Sequence, residues 1–316
     1  MDCLTTPQRN AAIATVLPPT AVHFLRRACI MASVTDMRII SRKQELREAI
    51  TAVRVGGSRI GLVPTMGALH EGHLSLVQAA VEGADFIVVS IFVNPIQFGK
   101  DEDLERYPRD IEGDARACEE IGAELIFAPD ESEMYAPDAS TVVSVQGLSE
   151  GLCGEVRPEH FAGVTTVVCK LFNIVRPDRA WFGCKDYQQL VVIRRMVRDL
   201  DIPVEVIGVP TVREEDGLAM SSRNYYLTDR ERSVAPGLYQ ALLVGAEAAE
   251  KGATGAEVER IVAAEIGKEP LFKLQYARAV DPETLQPLRN RTGPMTIAVA
   301  ALLGDTRLID NLLVEG

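Results

Sequence analysis

The decapeptide at residues 64–73, Pro-Thr-Met-Gly-Ala-Leu-His-Glu-Gly-His, has the clearest chemical potential in the chain. An apolar run precedes it at residues 60–63 and an amphipathic stretch follows at residues 74–81, which predicts a strand, a tight turn and the start of a helix. Glycines let the backbone approach a ligand, and a helix N-terminus offers N–H groups and partial positive charge to a phosphate. Because His70 and His73 share one face of the first turn, the segment predicts a site for the phosphate chain of a nucleotide.

Three other interpretations compete for this segment. Metal binding is disfavoured because no Cys or carboxylate lies nearby at ligand spacing, and the zinc-protease motif has one more residue between its histidines. The glycine spacing matches neither the dinucleotide-binding pattern nor the P-loop pattern. An ordinary glycine-containing turn would explain one histidine, but two histidines on one helical turn favour a binding site.

Polar residues at two later strand ends could meet an anionic substrate. Gln97 offers two donors and an acceptor without charge, although a solvated loop glutamine is the favoured interpretation of this residue taken alone. In residues 183–189, Lys185 can meet phosphate oxygens. Asp186 can cap the next helix, which is the favoured role, or approach a Mg²⁺ ion through water. Gln189 lies one turn into that helix.

Hydroxyl and guanidinium groups occur together at residues 220–223, Met-Ser-Ser-Arg. In a mobile loop these groups can stabilise phosphate charge that develops during a reaction. An N-cap formed by Ser222 beside a surface arginine is an equally good interpretation. Arg157 and His160, which precede another predicted helix, could add cationic contacts to an acidic ligand, and a solvated charge cluster explains them as well.

The elements that must position these residues are predicted from hydrophobic periodicity. Strand-like runs occur at residues 60–63, 86–93, 125–128, 142–145 and 204–208, and residues 180–182 indicate the end of another strand. Helical patterns lie between them at residues 74–81, 111–121, 164–175 and 187–200. Apolar strands that alternate with helices predict a Rossmann-like α/β fold, a parallel sheet with helices on both faces and ligands beyond the carboxyl ends of the strands.

The pattern changes near residue 213. Helical runs at residues 230–251 and 255–266 are followed by strand-like runs at residues 271–280, 295–302 and 307–314. We therefore predict a Rossmann-like domain at residues 37–212 and a smaller α+β domain at residues 213–316. Residues 1–36 fit neither a signal peptide nor a patterned domain, so we expect a disordered extension or a segment ahead of the true start.

Charge and composition limit the classes of partner. The chain of 316 residues has 33 Lys and Arg against 45 Asp and Glu, a net charge of −12. This charge argues against binding to nucleic acid or to an anionic membrane, because both require a basic face. No apolar run reaches the ~18 residues of a membrane helix. The 6 cysteines are scattered without a Cys-x-x-Cys pair, which indicates the reduced thiols of a cytoplasmic protein.

In this order, the segments at residues 64–73, 92–98, 157–163, 182–189 and 217–224 resemble the pantothenate synthetase (pantoate–β-alanine ligase) family. The resemblance runs from residue 37 to the C-terminus. This family belongs to the nucleotidyltransferase-like superfamily, in which a His-x-x-His element and a second loop, similar here to residues 220–223, bind ATP. The resemblance implies that pantoate attacks the α-phosphorus of Mg·ATP to give pantoyl-adenylate and diphosphate. The amine of β-alanine then displaces AMP and gives pantothenate.

The resemblance also assigns roles to individual residues. Charge stabilisation is implied for His70, His73, Lys185, Ser221, Ser222 and Arg223. His73 corresponds to the proton donor of the family, a role that fits an ordinary imidazole pKa of about 6.5. Gln97 corresponds to a contact for pantoate and β-alanine, and Gln189 to a contact for pantoate. The implied ATP-binding residues are Met66, Gly67, Ala68, Leu69, His70, Glu71, Gly72, His73, Gly183, Cys184, Lys185, Asp186, Val212, Met220, Ser221, Ser222 and Arg223.

The resemblance further implies Mg²⁺ accompanying ATP, no resident metal, and a homodimer formed through the larger domain. The smaller domain is expected to close over the site as a lid that excludes water. Two other functions stay open: a nucleotidyltransferase of the same superfamily acting on a phosphorylated acceptor, and a non-catalytic nucleotide-sensing module. The presence of His73, Lys185 and Arg223 counts against the second.

Overall fold

The computed structural model describes residues 37–99, 102, 104–288 and 294–315. The extension predicted at residues 1–36 lies outside this range. These described residues belong to one compact unit, and that unit contains two β-sheets. A domain boundary near residue 213 stays a prediction.

The secondary structure of the described residues follows the chain in this order. The strands are β1 (Arg38–Ile40), β2 (Ile60–Thr65), β3 (Phe86–Ile91), β4 (Leu125–Phe127), β5 (Arg179–Gly183), β6 (Glu205–Val209), β7 (Phe272–Val280), β8 (Met295–Leu303) and β9 (Thr306–Val314). The α-helices are α1 (Lys43–Val55), α2 (Glu71–Gly83), α3 (Ile111–Ile121), α4 (Glu131–Met134), α5 (Cys153–Val156), α6 (His160–Val175), α7 (Tyr187–Asp199), α8 (Asp229–Val234), α9 (Gly237–Glu250) and α10 (Gly255–Ile266). Short 3₁₀ turns lie at Pro95–Gln97, Cys184–Asp186 and Ser222–Tyr226.

The larger sheet is parallel and has the strand order β1-β4-β3-β2-β5-β6. On one face, Val63 of β2 packs with Val77 of α2 and Cys118 of α3 in a common core. On the other face, Phe182 of β5 meets Phe172 of α6 with ring centroids 6.4 Å apart. Helices on both faces of a parallel sheet confirm the predicted Rossmann-like fold.

The chain order of these strands defines where a ligand is expected. From β2 the chain moves outward to β3 and β4 on one side, whereas β5 and β6 lie on the other side. The connections therefore leave a crevice beyond the carboxyl ends of β2 and β5, which is where open α/β sheets bind ligands. The decapeptide follows β2, and the Lys185 turn follows β5.

Local sequence signals fix several helix boundaries. Asp110 caps α3 by accepting a hydrogen bond from the Gly113 N–H, and Gly122 ends the helix in the left-handed region at φ 99°. Helices α8 and α10 both begin with a capping box, in which a threonine and the glutamate three residues later bind each other's backbone N–H groups.

The smaller sheet is an antiparallel meander, β7-β8-β9. Helices α9 and α10 cover one face, where Leu242 and Val258 join Ile297 and Val299 in a buried core. This arrangement confirms the predicted smaller α+β part.

Two predicted elements are wrong. Residues 142–145 form no strand, because the N–H and C=O of Val143 bond to the hydroxyls of Thr166 and Thr165 on α6 instead of to a neighbouring strand. The continuous helix predicted at residues 230–251 is divided into α8 and α9 near Pro236, whose ring and missing N–H interrupt a helix. Strand β1 and helix α1 were not predicted.

Candidate active site

A cavity of about 220 Å³ lies at the carboxyl edge of the parallel sheet. The predicted site residues that line it are Met66, His70, Gly72, His73, Gln97, Gly183, Lys185, Asp186, Gln189, Val212, Met220, Ser221, Ser222 and Arg223. The other predicted ATP-binding residues, Gly67, Ala68, Leu69, Glu71 and Cys184, are not among its lining residues. Segments that are far apart in sequence are thus brought to one space by the topology.

The turn after β2 is held by an acidic residue that the sequence did not single out. Gly67 and Ala68 have φ of 85° and 51°. This left-handed bend points the N–H groups of Ala68 and Leu69 at the carboxylate of Asp114, with N···O distances of 2.9 and 2.7 Å. These two N–H groups are therefore occupied rather than open to a phosphate, and Asp114 shapes the turn from α3. Burial raises the pKa of Asp114, and the two hydrogen bonds oppose that rise.

The two histidines stand at the start of α2. His70 is the N-cap residue, and its Nδ1 accepts a hydrogen bond from the Gly72 N–H at 3.1 Å. The His70 and His73 ring centroids are 4.1 Å apart. Burial, helped by Lys185, lowers the pKa of His70 to about 4. Burial, His70 and Lys185 lower the pKa of His73 to about 3. Both imidazoles are neutral at neutral pH in this state, so the expectation of an ordinary imidazole pKa is wrong.

Gln97 is held by two polar contacts. Its Oε1 accepts from Asn94 Nδ2 at 3.0 Å, and its Nε2 donates to the sulfur of Met66 at 2.9 Å. Asn94 also donates to the carbonyl of Gly163, at 3.2 Å. A Cβ at Gly163 would lie 2.5–2.7 Å from backbone atoms of Ile96 and Gln97. The glycine therefore allows α6 to touch the turn that carries Gln97.

Arg157 and His160 make hydrogen bonds to other protein groups and do not form a solvated charge cluster. Arg157 Nε donates to Glu102 Oε1 at 2.5 Å, and the arginine side chain is 16% exposed. His160 Nδ1–H donates to the carbonyl of Gln97 at 2.9 Å. Burial, together with Arg157, lowers the pKa of His160 to about 4. These contacts support the backbone of Gln97 from the α6 side.

The 3₁₀ turn after β5 carries Lys185 and Asp186. The Lys185 ammonium makes no hydrogen bond or ion pair within the described part of the chain, so it is available to an anion. Asp186 is exposed, and its side chain does not cap α7, which corrects the favoured capping role.

The loop of residues 220–223 differs from the expected N-cap at Ser222. Ser221, not Ser222, caps the following 3₁₀ turn, because its Oγ accepts from the Arg223 N–H at 3.2 Å. Ser222 is buried, and its hydroxyl lies 3.5 Å from the Tyr107 hydroxyl. The loop is tied back by the Met220 N–H, which donates to the carbonyl of Val212 at 3.0 Å.

A second cavity of about 300 Å³ adjoins the first. The two share part of their walls, namely Arg157, His160, Lys185, Asp186, Gln189, Ser221 and Arg223. The second cavity extends to Tyr276, Arg307 and Asn311 of the smaller sheet. The site is therefore bounded by both sheets.

Neither a metal cluster nor a membrane span occurs among the described residues. These residues contain no group of three or more His, Cys, Asp or Glu side chains placed to hold a metal ion. Within the same ranges, no helix combines the length and the apolarity that crossing a bilayer requires.

Comparison with known proteins adds the family. The profile of the Pantoate-beta-alanine ligase family matches residues 38–313. The chain is 51% identical over 280 residues to the pantothenate synthetase of Thermodesulfovibrio yellowstonii, covering 88% of this chain and 100% of that protein. The crystal structure of the pantothenate synthetase from Thermus thermophilus superposes with a TM-score of 0.83 at 51% identity, over 87% of this chain and 99% of that one.

A third match is a crystal structure of a pantoate-β-alanine ligase from Francisella tularensis complexed with β-γ ATP and β-alanine. It is 32% identical, has a TM-score of 0.73, and covers 88% of this chain and 97% of that chain. The family profile, the coverage and the shared fold together show that this chain belongs to the pantoate–β-alanine ligase family.

Proposed function

We propose that this chain joins pantoate to β-alanine with ATP as co-substrate, releasing AMP and diphosphate through a pantoyl-adenylate intermediate. The observation that carries the proposal is the cavity at the edge of the parallel sheet, which gathers imidazole, ammonium, guanidinium, hydroxyl and amide groups around one space. Membership of the pantoate–β-alanine ligase family and the relative with ATP and β-alanine support it.

The first step places negative charge on phosphate oxygens. A carboxylate oxygen of pantoate bonds to the α-phosphorus while the bond to diphosphate breaks, so charge collects on the leaving group. Lys185 and Arg223 line the cavity and supply positive charge for these oxygens. Ser221 adds a hydroxyl donor on the same wall. We propose that these groups bind the phosphates and stabilise the transition state.

His70 and His73 are neutral imidazoles before ATP binds, and we propose that they donate hydrogen bonds to its phosphates. The Nδ1 atom of His73 is buried and lacks a hydrogen-bond partner within the described residues, and we propose that Nε2 is the nitrogen that meets ATP. A neutral imidazole with its proton on Nε2 can donate one hydrogen bond to a phosphate oxygen. Bound phosphates would also raise both pKa values, so we propose that ATP binding draws protons onto this pair.

Gln97 and Gln189 are proposed to orient pantoate. A neutral amide can position the attacking carboxylate, whereas a tight arginine pair would withdraw charge from the attacking oxygen. Gln97 would exchange its contacts with Asn94 and Met66 for contacts with pantoate. A Gln97→Arg enzyme that keeps its adenylation rate would refute this reason for an amide.

The second step forms the amide bond. The free amine of β-alanine attacks the acyl carbon of pantoyl-adenylate, the C–O bond to AMP breaks, and the proton of the amine is released. We propose that Gln97 also lies near β-alanine. The backbone support from His160 and Arg157 would keep this residue in place for both steps.

Further proposals concern the ion, the lid and the assembly. Asp186 makes no ion pair with the described residues, and we propose that its exposed carboxylate meets a water of the Mg²⁺ that accompanies ATP. We propose residues 213–316 as a lid domain. A homodimer and a cytoplasmic location are proposed from the family alone. Light scattering of the purified protein would test the dimer.

Isotope exchange tests the reaction class. We expect labelled diphosphate to enter ATP only when pantoate is present, and without any need for β-alanine. Adding β-alanine should then yield pantothenate and AMP by mass spectrometry. A product that keeps the nucleotide on a phosphorylated acceptor would favour the nucleotidyltransferase, and ATP binding without turnover would favour the sensing module.

The role of His73 is tested by His73→Ala. Loss of a fixed donor at developing charge predicts a ~10²–10³-fold lower rate of adenylation. Gln78→Ala, on the exposed side of the same helix, is the control and should keep the wild-type rate. Unchanged turnover in His73→Ala would remove His73 from the mechanism.

A further inference from the structure

Asn311 of β9 makes an unusual contact with the active-site turn. Its side-chain Nδ2 donates to the carbonyl of Cys184 at 2.9 Å and to the carbonyl of Lys185 at 2.8 Å. Both N–H bonds of one amide are therefore used on two consecutive peptide groups that lie 126 residues or more away in sequence. The residue is 9% exposed, so water competes little for these bonds.

The preceding residue of the same strand, Asp310, binds the segment that leads into the loop of residues 220–223. Asp310 binds the Arg213 guanidinium through two contacts, Oδ2 to Nη1 at 2.6 Å and Oδ1 to Nη2 at 3.0 Å. Arg213 pairs with Ala219 in a short antiparallel bridge, next to the contact between Met220 and Val212. Two adjacent residues of β9 therefore bind the turn that carries Lys185 and the segment that leads to residues 220–223.

The geometry points to Asn311 as a positioning residue that places the Lys185 ammonium for the phosphates of ATP. Since that ammonium has no hydrogen bond or ion pair in the described part of the chain, its location depends on the backbone that carries it. Asn311 anchors that backbone to the strand whose Asp310 anchors the Arg223 loop. The spacing between the Lys185 ammonium and the Arg223 guanidinium is therefore set by β9 of the smaller sheet. This inference rests on the proposed binding of ATP in the cavity.

Calorimetric titration of Mg·ATP into Asn311 variants tests the inference. Asn311→Ala removes the two donors, and Asn311→Asp keeps the size but turns carboxylate oxygens towards the carbonyls. We expect the Kd for ATP to rise ~10-fold in the first variant and further in the second. The Kd for pantoate should change less than about twofold, because Gln97 is held by Asn94 and Met66, and Gln189 lies within α7 rather than in the anchored turn.

A double-mutant cycle separates positioning from general stability. In a Lys185→Met background, Asn311→Ala should weaken ATP binding by less than about twofold, because the group it places is already gone. Asn173→Ala is the matched control, since among the described residues that exposed amide bonds only to Cys169 of its own helix, and it should bind ATP as the wild type does.

Several results would overturn the role. These are folded Asn311 variants that bind ATP like the wild type, equal losses for ATP and pantoate, or the same loss with and without Lys185. If neither variant folds, hydrogen exchange of the wild type decides: Mg·ATP should protect residues 306–314 together with residues 183–189, and protection of the second segment alone would contradict the anchor. Wild-type protein that binds ATP and makes no pantothenate would refute the proposed reaction while leaving this test intact.

Discussion

The two halves of the candidate site are held in place by different parts of the molecule. The turn of residues 66–70 is fixed from within the parallel-sheet layer, where Asp114 of the neighbouring helix binds two of its N–H groups. The Lys185 turn and the loop before Arg223 are fixed from the smaller sheet, through Asn311 and Asp310. The first half is therefore complete within one layer of the fold, whereas the second depends on the packing of two sheets.

Removing Asp310 should break the second half and have the largest effect. Its carboxyl is 3% exposed and faces the Arg213 guanidinium, so Asp310→Ala leaves a charge buried without its partner. We expect a loss of about 3–5 kcal/mol of unfolding free energy in urea titrations. Glu205→Ala, which removes an exposed partner of Arg179, should lose at most about 1 kcal/mol. Similar small losses in both variants would show that the two sheets do not depend on this pair.

Removing Asp114 should disturb the first half less. Asp114→Ala leaves the Ala68 and Leu69 N–H groups without an acceptor, which predicts a loss of about 1–3 kcal/mol. Asp114→Asn, which retains one carbonyl acceptor, should lose less. Chemical denaturation measures both, and ATP affinity should fall with them. An Asp114→Ala protein as stable as the wild type would mean that the turn is fixed by its own dihedral angles.

Acid should affect the first half through its histidines. The pKa of His70 is about 4 and that of His73 about 3 in the folded chain, below the ordinary value near 6.5. The unfolded chain therefore binds protons first, so stability is complete above pH 6.5 and falls as pH drops towards 4. Each histidine adds a slope of at most about 1.4 kcal/mol per pH unit. His70→Gln should flatten this slope in denaturation curves between pH 5 and 6.5, and an unchanged slope would contradict the shift.

The smallest effect should come from the cap of the second loop. Ser221→Ala removes the acceptor of the Arg223 N–H, and loss of such a cap amounts to about 1 kcal/mol. Thermal denaturation should detect this in Ser221→Ala, and the rate of adenylation should fall as well. Because the buried Ser222 hydroxyl has a single long contact among the described residues, 3.5 Å to the Tyr107 hydroxyl, Ser222→Ala should change the rate less. The reverse order would identify Ser222 as the functional hydroxyl.

The sequence predicted the parts of the fold that depend on neighbours along the chain. Helix α3 and helix α10 have the predicted bounds because their caps and apolar periodicity are local. Residues 142–145 look like a strand in composition, but a strand also needs a partner, and here α6 takes its backbone bonds. The break at Pro236 was readable from the sequence, because proline interrupts helices by a known mechanism.

In the site too, local patterns were predictable and long-range contacts were not. The residues that face the cavity could be found from their types and spacing, because strand ends of a parallel sheet converge. The residues that hold those side chains in position could not be found from the sequence. Asp114 looks like an acidic position of an amphipathic helix, and Asn311 like a polar residue of a strand. The lowered pKa values of His70 and His73 depend on burial, which sequence spacing does not measure.

Gly163 has a consequence for reading natural variants of this chain. A single added methyl group there would overlap the backbone beside Gln97 and displace the turn that carries it. A substitution at Gly163, which has no functional group of its own, would therefore abolish activity, although every side chain proposed to meet a substrate would still be present. A survey of alleles that checked only those side chains would score such a variant as active.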